Sequence, residues 1–290
     1  MRPMRPGWIE RRIAQGRGRG SGSDYVPWHL TREVPSSVHR PRGWKTDREH
    51  HLLSGHELMS FHVLEWSPMV VDIREQYPLN LETTQAVATD LGLEHPTVLV
   101  TNGERGPWVM TSDFLVTIRR DGITSELAIQ VKEEQALSKG RVAELLEIER
   151  RYWEFRKTPW LLLCDRDIPL RLAGTVQAVH GLRAITSMAP LTALDIRRIA
   201  EPFTESVLGS PGAPLNALAR DIDERLGYPG GSALKVAKHL IATRQWTIDM
   251  EAGFQPTEPL QLLGYQLSPI DDGRLSDEID GGSVPEDAQR

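Results

Sequence analysis

The sequence predicts an α/β core over residues 50–166 and a small, mostly helical domain over residues 167–266. Three observations predict this arrangement: two runs of β-type residues flank Asp121-Gly122, a long helical pattern leads into the apolar run PWLLLCD, and helical patterns follow one another after residue 166. Helix and strand patterns within one stretch predict a sheet covered by helices, and we expect that sheet to be mixed.

The core begins with alternating helix and strand patterns. Residues 50–66 carry apolar side chains at helical spacing, with Ser54 available as the N-cap. A strand-like run follows at 70–79, and a shorter helical pattern at 81–91. We therefore expect a helix, a strand and a second helix before the central hairpin.

The dipeptide Asp121-Gly122 predicts a two-residue hairpin turn between the two β-type runs. With that turn, Asp113 lies directly opposite Gln130, and the two-residue alternation of a strand puts Lys132 on the same face. The other face is apolar and is expected to pack: Phe114, Val116, Ile118, Leu127, Ile129 and Val131.

The core is expected to close with a helix over residues 138–157 and a buried strand over 159–165. Glu149 lies inside the apolar stripe of that helix. Further helices are predicted at 170–182, 192–208, 214–226 and 231–243, and the strand-like WTIDME follows them. Helices joined by a short turn and followed by a β element resemble a winged-helix module.

The net charge of −6 conceals an uneven distribution. Residues 1–50 hold eleven Lys and Arg against five Asp and Glu, whereas residues 271–290 hold two against seven. We interpret residues 1–49 as a basic arm and lead-in, which either tracks phosphates or is a solvated terminus. The segment 267–290 is predicted to be an acidic, disordered tail.

Composition also limits the class of protein. No apolar run approaches the roughly 18 residues of a membrane span, and the basic start lacks the apolar stretch of a signal peptide. The single cysteine, Cys164, excludes an internal disulfide and a cysteine-ligated zinc site. We therefore expect a cytoplasmic protein without membrane contact.

The polar face of the hairpin suggests metal-dependent phosphodiester chemistry. Asp113 would be the main ligand of Mg²⁺, the backbone carbonyl of Val131 a further ligand, and Lys132 the partner that orients attacking water. Glu57 offers a second carboxylate, although Ser54 and Glu57 also read as a helix capping box. The plainer interpretation of Asp113 and Lys132 is the solvated face of a half-exposed hairpin.

Glu149 is harder to explain by solvation, because an unpaired buried carboxylate costs several kcal/mol. A metal ion would satisfy it, and a salt bridge to an arginine such as Arg74 would serve equally well.

Several segments together resemble the TnsA family, the endonuclease subunits of the heteromeric cut-and-paste transposons of the Tn-seven group. They run in order through most of residues 10–163: RRIAQGRGRGSGSDYVPW, EVPSS, HHLLSGHEL, LEWSPMVVDIREQYPL, VMTSDFLV, AIQVK and LLEIERRYW. The resemblance implies a restriction-endonuclease-like core, in which an acid on one strand and an acid-x-lysine on the next bind metal. In this family glutamine replaces the second acid, and IQVK is similar.

Carried over to this sequence, the resemblance implies that the active site comprises Glu57, Asp113, Gln130 and Lys132, with Glu149 as a supporting acid. Glu57, Asp113, Gln130 and the Val131 carbonyl would hold one or two Mg²⁺ ions, for which Mn²⁺ could substitute. The capping-box interpretation of Glu57 is then set aside.

The resemblance implies hydrolysis of double-stranded DNA at the 5′ ends of a transposon. A TnsB-like transposase would cut and join the 3′ ends, and a TnsC-like AAA+ ATPase would be a second partner. Two alternatives remain open at this point: a free-standing restriction or repair nuclease, and a catalytically silent adaptor that ties the transposase to its ATPase.

Overall fold

A computed structural model describes residues 4–33, 38–101 and 103–267 of the chain. The chain divides into two compact units, residues 1–177 with 250–253, and residues 178–249 with 254–290. Ile168 is buried in the core of the first unit beside Phe114 and Val131. The domain bounds expected from the sequence stay a prediction. Residues 268–290 lie outside the described residues, as does nearly all of the tail predicted at 267–290.

The first unit contains a four-stranded sheet in the order β1-β4-β5-β6. Its strands are β1 (Val70–Pro78), β4 (Thr111–Arg120), β5 (Ile123–Lys132) and β6 (Trp160–Cys164). β1 and β5 both pair antiparallel with β4, whereas β6 pairs parallel with β5. The mixed sheet predicted from the sequence is therefore confirmed, and so is the α/β class.

Helices cover both faces of this sheet. Helix α2 (Gly55–Trp66) contributes Leu58 and Phe61 to the cluster that contains Phe114 and Ile129. Helix α5 (Gly140–Phe155) contributes Ile148 and Trp153 to a second cluster, which contains Leu115 and Ala128. Adjacent strand residues point to opposite faces, so α2 and α5 lie on opposite sides of the hairpin.

The interpretation of the hairpin as half-exposed is therefore wrong. Leu115 and Ala128 lie on the face predicted to be polar, yet each is at most 1% exposed. Leu115 and Ala128 pack beneath α5, whereas Glu126, closer to the turn on the same face, is bound by Arg74 of β1.

The remaining regular elements of the first unit are short. They are α1 (Trp8–Ala14), α3 (Leu81–Asp90), β2 (Thr97–Leu99), β3 (Arg105–Pro107), α4 (Glu134–Leu137) and, at its end, α6 (Leu170–His180). Four 3₁₀ turns occur in the described chain, at Gly22–Asp24, Thr31–Glu33, Asp165–Asp167 and Ile185–Met188.

The second unit is mostly helical, as predicted. It contains α7 (Ala193–Gly209), α8 (Leu215–Leu226) and α9 (Ser232–Ala242), followed by β7 (Trp246–Thr247) and β8 (Gly264–Tyr265). The two strands pair antiparallel. The winged-helix analogy stays a prediction, because strands of two residues are too short to identify a wing. None of the helices in the described ranges is long and apolar enough to cross a membrane.

The basic segment at the N-terminus is folded against the sheet of the first unit over residues 4–33. Arg12 and Arg17 are buried and both bind the carboxylate of Glu33, at 3.0 Å and 2.6 Å. Gly18 has a φ of +74°, and a Cβ at this position would lie 2.2 Å from the ring of Pro78. Arg12 and Arg17 are thus paired inside the fold, so neither is available to track phosphates.

A buried ion cluster joins residues 48–51 to β1. Glu75 is fully buried, and its carboxylate accepts hydrogen bonds from Arg48, from the His50 ring and from the His51 amide, the last at 2.9 Å. Burial alone would raise the pKa of Glu75, but His50 and Arg48 lower it far below the usual value. Because these residues contact Glu75, the predicted helix from residue 50 begins only after Ser54.

Replacement of Arg48 by methionine tests this link. We expect Arg48→Met to lower the free energy of unfolding by about 3–5 kcal/mol, because it leaves the Glu75 carboxylate buried without its arginine partner. Urea denaturation measures the loss. Arg42→Met is the matched control, because Arg42 pairs with Asp47 at the exposed surface; equal midpoints for the two variants would contradict the prediction.

Candidate active site

The site forms where the backbone pairing between β4 and β5 stops. The two strands pair in the predicted register from Arg120 with Ile123 to Phe114 with Ile129. At the next position side chains replace the ladder: the Asp113 amide donates to Oε1 of Gln130 at 3.1 Å, and the Val131 amide donates to Oδ2 of Asp113 at 2.8 Å. A carboxylate and a carboxamide therefore lie between the two backbones.

Lys132 is the last residue of β5 and adds a cation to this opening. Its Nζ lies 3.7 Å from Oδ2 of Asp113 and donates to the carbonyl oxygen of Val131 at 3.1 Å. The lysine side chain keeps 32% of its surface exposed, whereas the Asp113 side chain keeps 11%. The ammonium group thus reaches the carboxylate from the solvent side of the site.

Glu57 approaches from the first turn of α2. Ser54 caps this helix by accepting from the Glu57 amide at 3.1 Å, and its hydroxyl donates to Oε1 of Glu57 at 3.0 Å. Oε2 of Glu57 accepts from the Leu53 amide at 2.9 Å and from Nε2 of Gln76 at 3.1 Å. Glu57 therefore completes the helix start and also contacts the sheet, so the capping interaction does not exclude it from the site.

The side chains of Glu57 and Asp113 are both buried and interact electrostatically. Burial and then the charge of Asp113 raise the pKa of Glu57 to about 8. Burial also raises the pKa of Asp113, although Lys132 acts in the opposite direction. Two desolvated acids that disfavour each other's ionisation would be stabilised as carboxylates by a cation.

The donor set fits a hard divalent cation. The strand end supplies the Asp113 carboxylate, the Gln130 amide oxygen and the Val131 carbonyl, and α2 supplies the Glu57 carboxylate. Within residues 4–33, 38–101 and 103–267, no group of three or more His, Cys, Asp or Glu side chains is placed to hold a metal. Two carboxylates with neutral oxygens suit an ion that keeps several of its waters.

Glu149 projects from α5 and binds Ser112, the residue that precedes Asp113 on β4. Its Oε1 accepts from the Ser112 hydroxyl at 2.5 Å and from Nε1 of Trp160 at 3.0 Å, and Nε1 of Trp153 donates to the same hydroxyl at 2.8 Å. Its hydrogen bonds go to neighbours of the site rather than to Asp113 or Lys132. Burial raises the pKa of Glu149 to about 8.

The alternative salt bridge between Glu149 and Arg74 is wrong. Arg74 instead binds Glu126 at 2.6 Å and Asp72 at 3.5 Å, because its side chain lies on β1 toward the outer part of the hairpin. Two neutral donors bind the Glu149 carboxyl group, and its pKa is raised. Its burial therefore requires no cation.

The sequence analysis missed Gln76. Its amide binds Glu57, and it has a φ of +49° inside β1. Two adjacent polar residues, Glu75 and Gln76, within a strand pattern were the available signal, since one of them must point toward the core of a covered sheet.

Comparison with known proteins identifies the family of this chain. Residues 67–165 match the family described as TnsA-like endonuclease N terminal, and residues 167–250 match the one described as TnsA endonuclease C terminal. The chain belongs to the TnsA family. The second match extends the likeness to a region where the sequence motifs carried none.

A curated relative agrees with these matches. Transposon Tn7 transposition protein TnsA of Escherichia coli is 43% identical over 188 residues, which span 64% of this chain and 66% of that protein. Asp113, Gln130, Val131, Lys132 and Glu149 lie within the match to the N-terminal TnsA family, whereas Glu57 precedes it. The place of Glu57 in the site thus depends on the geometry of α2.

The raised pKa of Glu149 predicts a specific dependence of stability on pH. The carboxyl is protonated in both states below its ordinary value of 4.5, and as the pH rises toward 8 the unfolded state loses this proton while the folded state retains it. The folded state of the wild type therefore loses stability over that interval. Glutamine is neutral throughout and can accept the same two hydrogen bonds, so Glu149→Gln should remove this contribution.

Urea denaturation in EDTA at pH 5 and pH 8 measures the effect. The free energy of unfolding of Glu149→Gln, relative to that of the wild type, should be greater at pH 8 than at pH 5. Glu57 is present in both proteins, so its contribution cancels in this difference. A constant difference at the two pH values would show that Glu149 is already ionised in the folded protein.

Proposed function

We propose that the chain is a Mg²⁺-dependent DNA endonuclease that hydrolyses the 5′-end strands of a transposon, while a partner transposase cuts and joins the 3′ ends. The observation that carries this proposal is the group of Asp113, Gln130 and Lys132 at the separated ends of β4 and β5, with Glu57 beside them. The family to which the chain belongs supports a nuclease, and the name of the relative supports a role in transposition.

Each residue has a distinct part in the proposed reaction. Glu57, Asp113, Gln130 and the Val131 carbonyl would hold Mg²⁺, and Mn²⁺ would be accepted by the same oxygen donors. The ion would polarise the scissile phosphate and lower the pKa of a bound water. Lys132 would orient the attacking water and offset the negative charge that develops on the phosphate, because its ammonium group lies beside Asp113 at the solvent side.

Glu149 has a supporting part in this proposal. It holds the hydroxyl of Ser112, the residue before Asp113, and so fixes the backbone from which the main ligand projects. Its neutral form at ordinary pH adds no negative charge beside Glu57 and Asp113.

The proposed substrate is double-stranded DNA at the transposon ends. A TnsB-like transposase and a TnsC-like AAA+ ATPase are the proposed partners, with end recognition supplied by the transposase. The acidic net charge of −6 favours this division of labour, because a nuclease that found DNA by itself would gain from a basic surface.

Substitutions at the strand ends test the proposal. Asp113→Asn removes a charged ligand and Lys132→Met removes the cation, and we expect either change to reduce 5′-strand cleavage at least 100-fold. Cutting of the 3′ strands by the partner should remain. Strand-specific gel analysis of a transposon-end substrate with the partner transposase and ATPase measures both cuts, and Lys139→Met in the turn before α5 serves as the control.

The two remaining interpretations predict other outcomes. Efficient cutting of plasmid DNA by the purified chain with Mg²⁺ and no partner would identify a free-standing nuclease. Normal 5′ cleavage by both the Asp113 and Lys132 variants would identify a silent adaptor.

Removal of the metal should abolish 5′ cleavage by the wild type without unfolding it, since the core of the sheet is apolar and does not depend on the ion. We expect activity to return when Mg²⁺ or Mn²⁺ is added after dialysis against EDTA. Far-ultraviolet circular dichroism monitors the fold in parallel, and full cleavage in EDTA would overturn the metal-dependent reaction.

A further inference from the structure

Gln76 lies on β1 at the position that faces Asp113. Its neighbours Glu75 and Tyr77 pair with Phe114 and Ser112 of β4, which leaves Gln76 opposite Asp113. The side chain is 2% exposed. A neutral amide side chain is thus buried next to the main carboxylate of the proposed site, at a position where packing alone would favour an aliphatic side chain.

The backbone of Gln76 is held in an unfavourable conformation. Its φ of +49° lies in the left-handed region, which a residue with a side chain rarely adopts inside a strand. Such a conformation persists where surrounding contacts impose it, and it occurs often at functional sites.

Contacts from two earlier segments of the chain hold the backbone of β1 around this residue. The carbonyl of Gln76 accepts from the Trp28 amide at 3.2 Å, and the carbonyl of Glu75 accepts from the Tyr25 hydroxyl at 3.1 Å. The Glu75 carboxylate is fixed by the ion cluster with Arg48 and His50. The N-terminal segment and residues 48–51 therefore hold this point of β1 from the side away from β4.

The consequence of this conformation is the contact with Glu57. Nε2 of Gln76 donates to Oε2 of Glu57 at 3.1 Å. The other donors to that carboxylate, the Leu53 amide and the Ser54 hydroxyl, belong to the start of α2 itself. Gln76 links the carboxylate to the sheet on which Asp113 stands.

We infer that Gln76 is a positioning residue, which sets the Glu57 carboxylate relative to Asp113 so that one divalent cation can bind both. This inference rests on the proposed function. The positive φ of Gln76 then has a role in the site. With a standard strand conformation the amide would point elsewhere, and only the start of α2 would orient the Glu57 carboxylate.

Binding of Mn²⁺ alone, measured by isothermal titration calorimetry on the full chain, tests this without a cleavage reaction. Gln76→Met keeps the volume and removes the donor, and we expect it to weaken Mn²⁺ binding by about 10-fold or more, as the loss of a residue that orients a metal ligand usually does. Gln76→Gly accommodates the positive φ without strain and should weaken Mn²⁺ binding similarly, while protecting the experiment against a variant that fails to fold.

Two further proteins make the result specific. Thr84→Val removes another fully buried polar group, whose hydroxyl donates to the Leu81 carbonyl on α3, and it should leave Mn²⁺ binding unchanged. Glu57→Ala removes the group through which Gln76 is argued to act. Adding Gln76→Met to Glu57→Ala should therefore produce no further loss of affinity.

The outcomes separate this inference from the proposed function. A wild type that binds no Mn²⁺, alone or with a transposon-end duplex, would overturn the metal-dependent function and this inference with it. A wild type that binds Mn²⁺, with Gln76→Gly binding it equally well, would overturn the inference alone and leave the nuclease proposal standing. Additive losses in the double variant would show that Gln76 does not act through Glu57.

Discussion

The site depends on the exchange of backbone hydrogen bonds for side-chain hydrogen bonds at one step of the β4–β5 hairpin. A continuous ladder would bring the two strands together, and the Asp113 carboxylate would be excluded from the space between them. Because this carboxylate accepts from the Val131 amide, and the Gln130 amide oxygen accepts from Asp113, each buried donor is satisfied although the ladder has stopped. The opening is thus a stable part of the fold.

The remaining features of the first unit support that opening. β6 pairs parallel with β5 as far as Lys132 and Cys164, which holds the end of β5 in place after its contact with β4 is lost. β1 pairs with β4 as far as Pro78 and Thr111 and holds the other side. The two strands that diverge are therefore each anchored by an outer neighbour, and α2 and α5 close the faces above and below.

Much of this arrangement could be predicted from the sequence, because it follows from local rules. The Asp121-Gly122 turn and the alternation of strand side chains determine the register, and therefore the proximity of Asp113 to Gln130 and Lys132. The position of Glu149 within an apolar stripe correctly predicted its burial. The residues offered Glu57 only as one candidate for a second carboxylate, and the family resemblance decided its assignment to the site, since no local rule joins α2 to β4 over that distance in sequence.

The errors come from pairings that composition does not reveal. Arg12 and Arg17 were counted as free cations, whereas Glu33 neutralises them inside the fold. The sequence suggested Arg74 as an ion-pair partner for Glu149, but Ser112 and Trp160 donate hydrogen bonds to its carboxyl group instead. The contact from Gln76 depends on a single positive φ, which is imposed by residues far away in the chain and leaves no trace in the strand pattern.

The ion cluster around Glu75 has a consequence for how this protein could diversify. Glu75 stands on β1, one residue from the strained position of Gln76, while its partners Arg48 and His50 come from the segment that precedes α2. A chimaera that joined the first fifty residues of one homologue to the strands of another would combine Arg48 and His50 from one protein with Glu75 from the other. These partners would not have evolved together. Recombination between relatives should therefore favour crossover points after the first unit, where whole domains can be exchanged with their buried charges still matched.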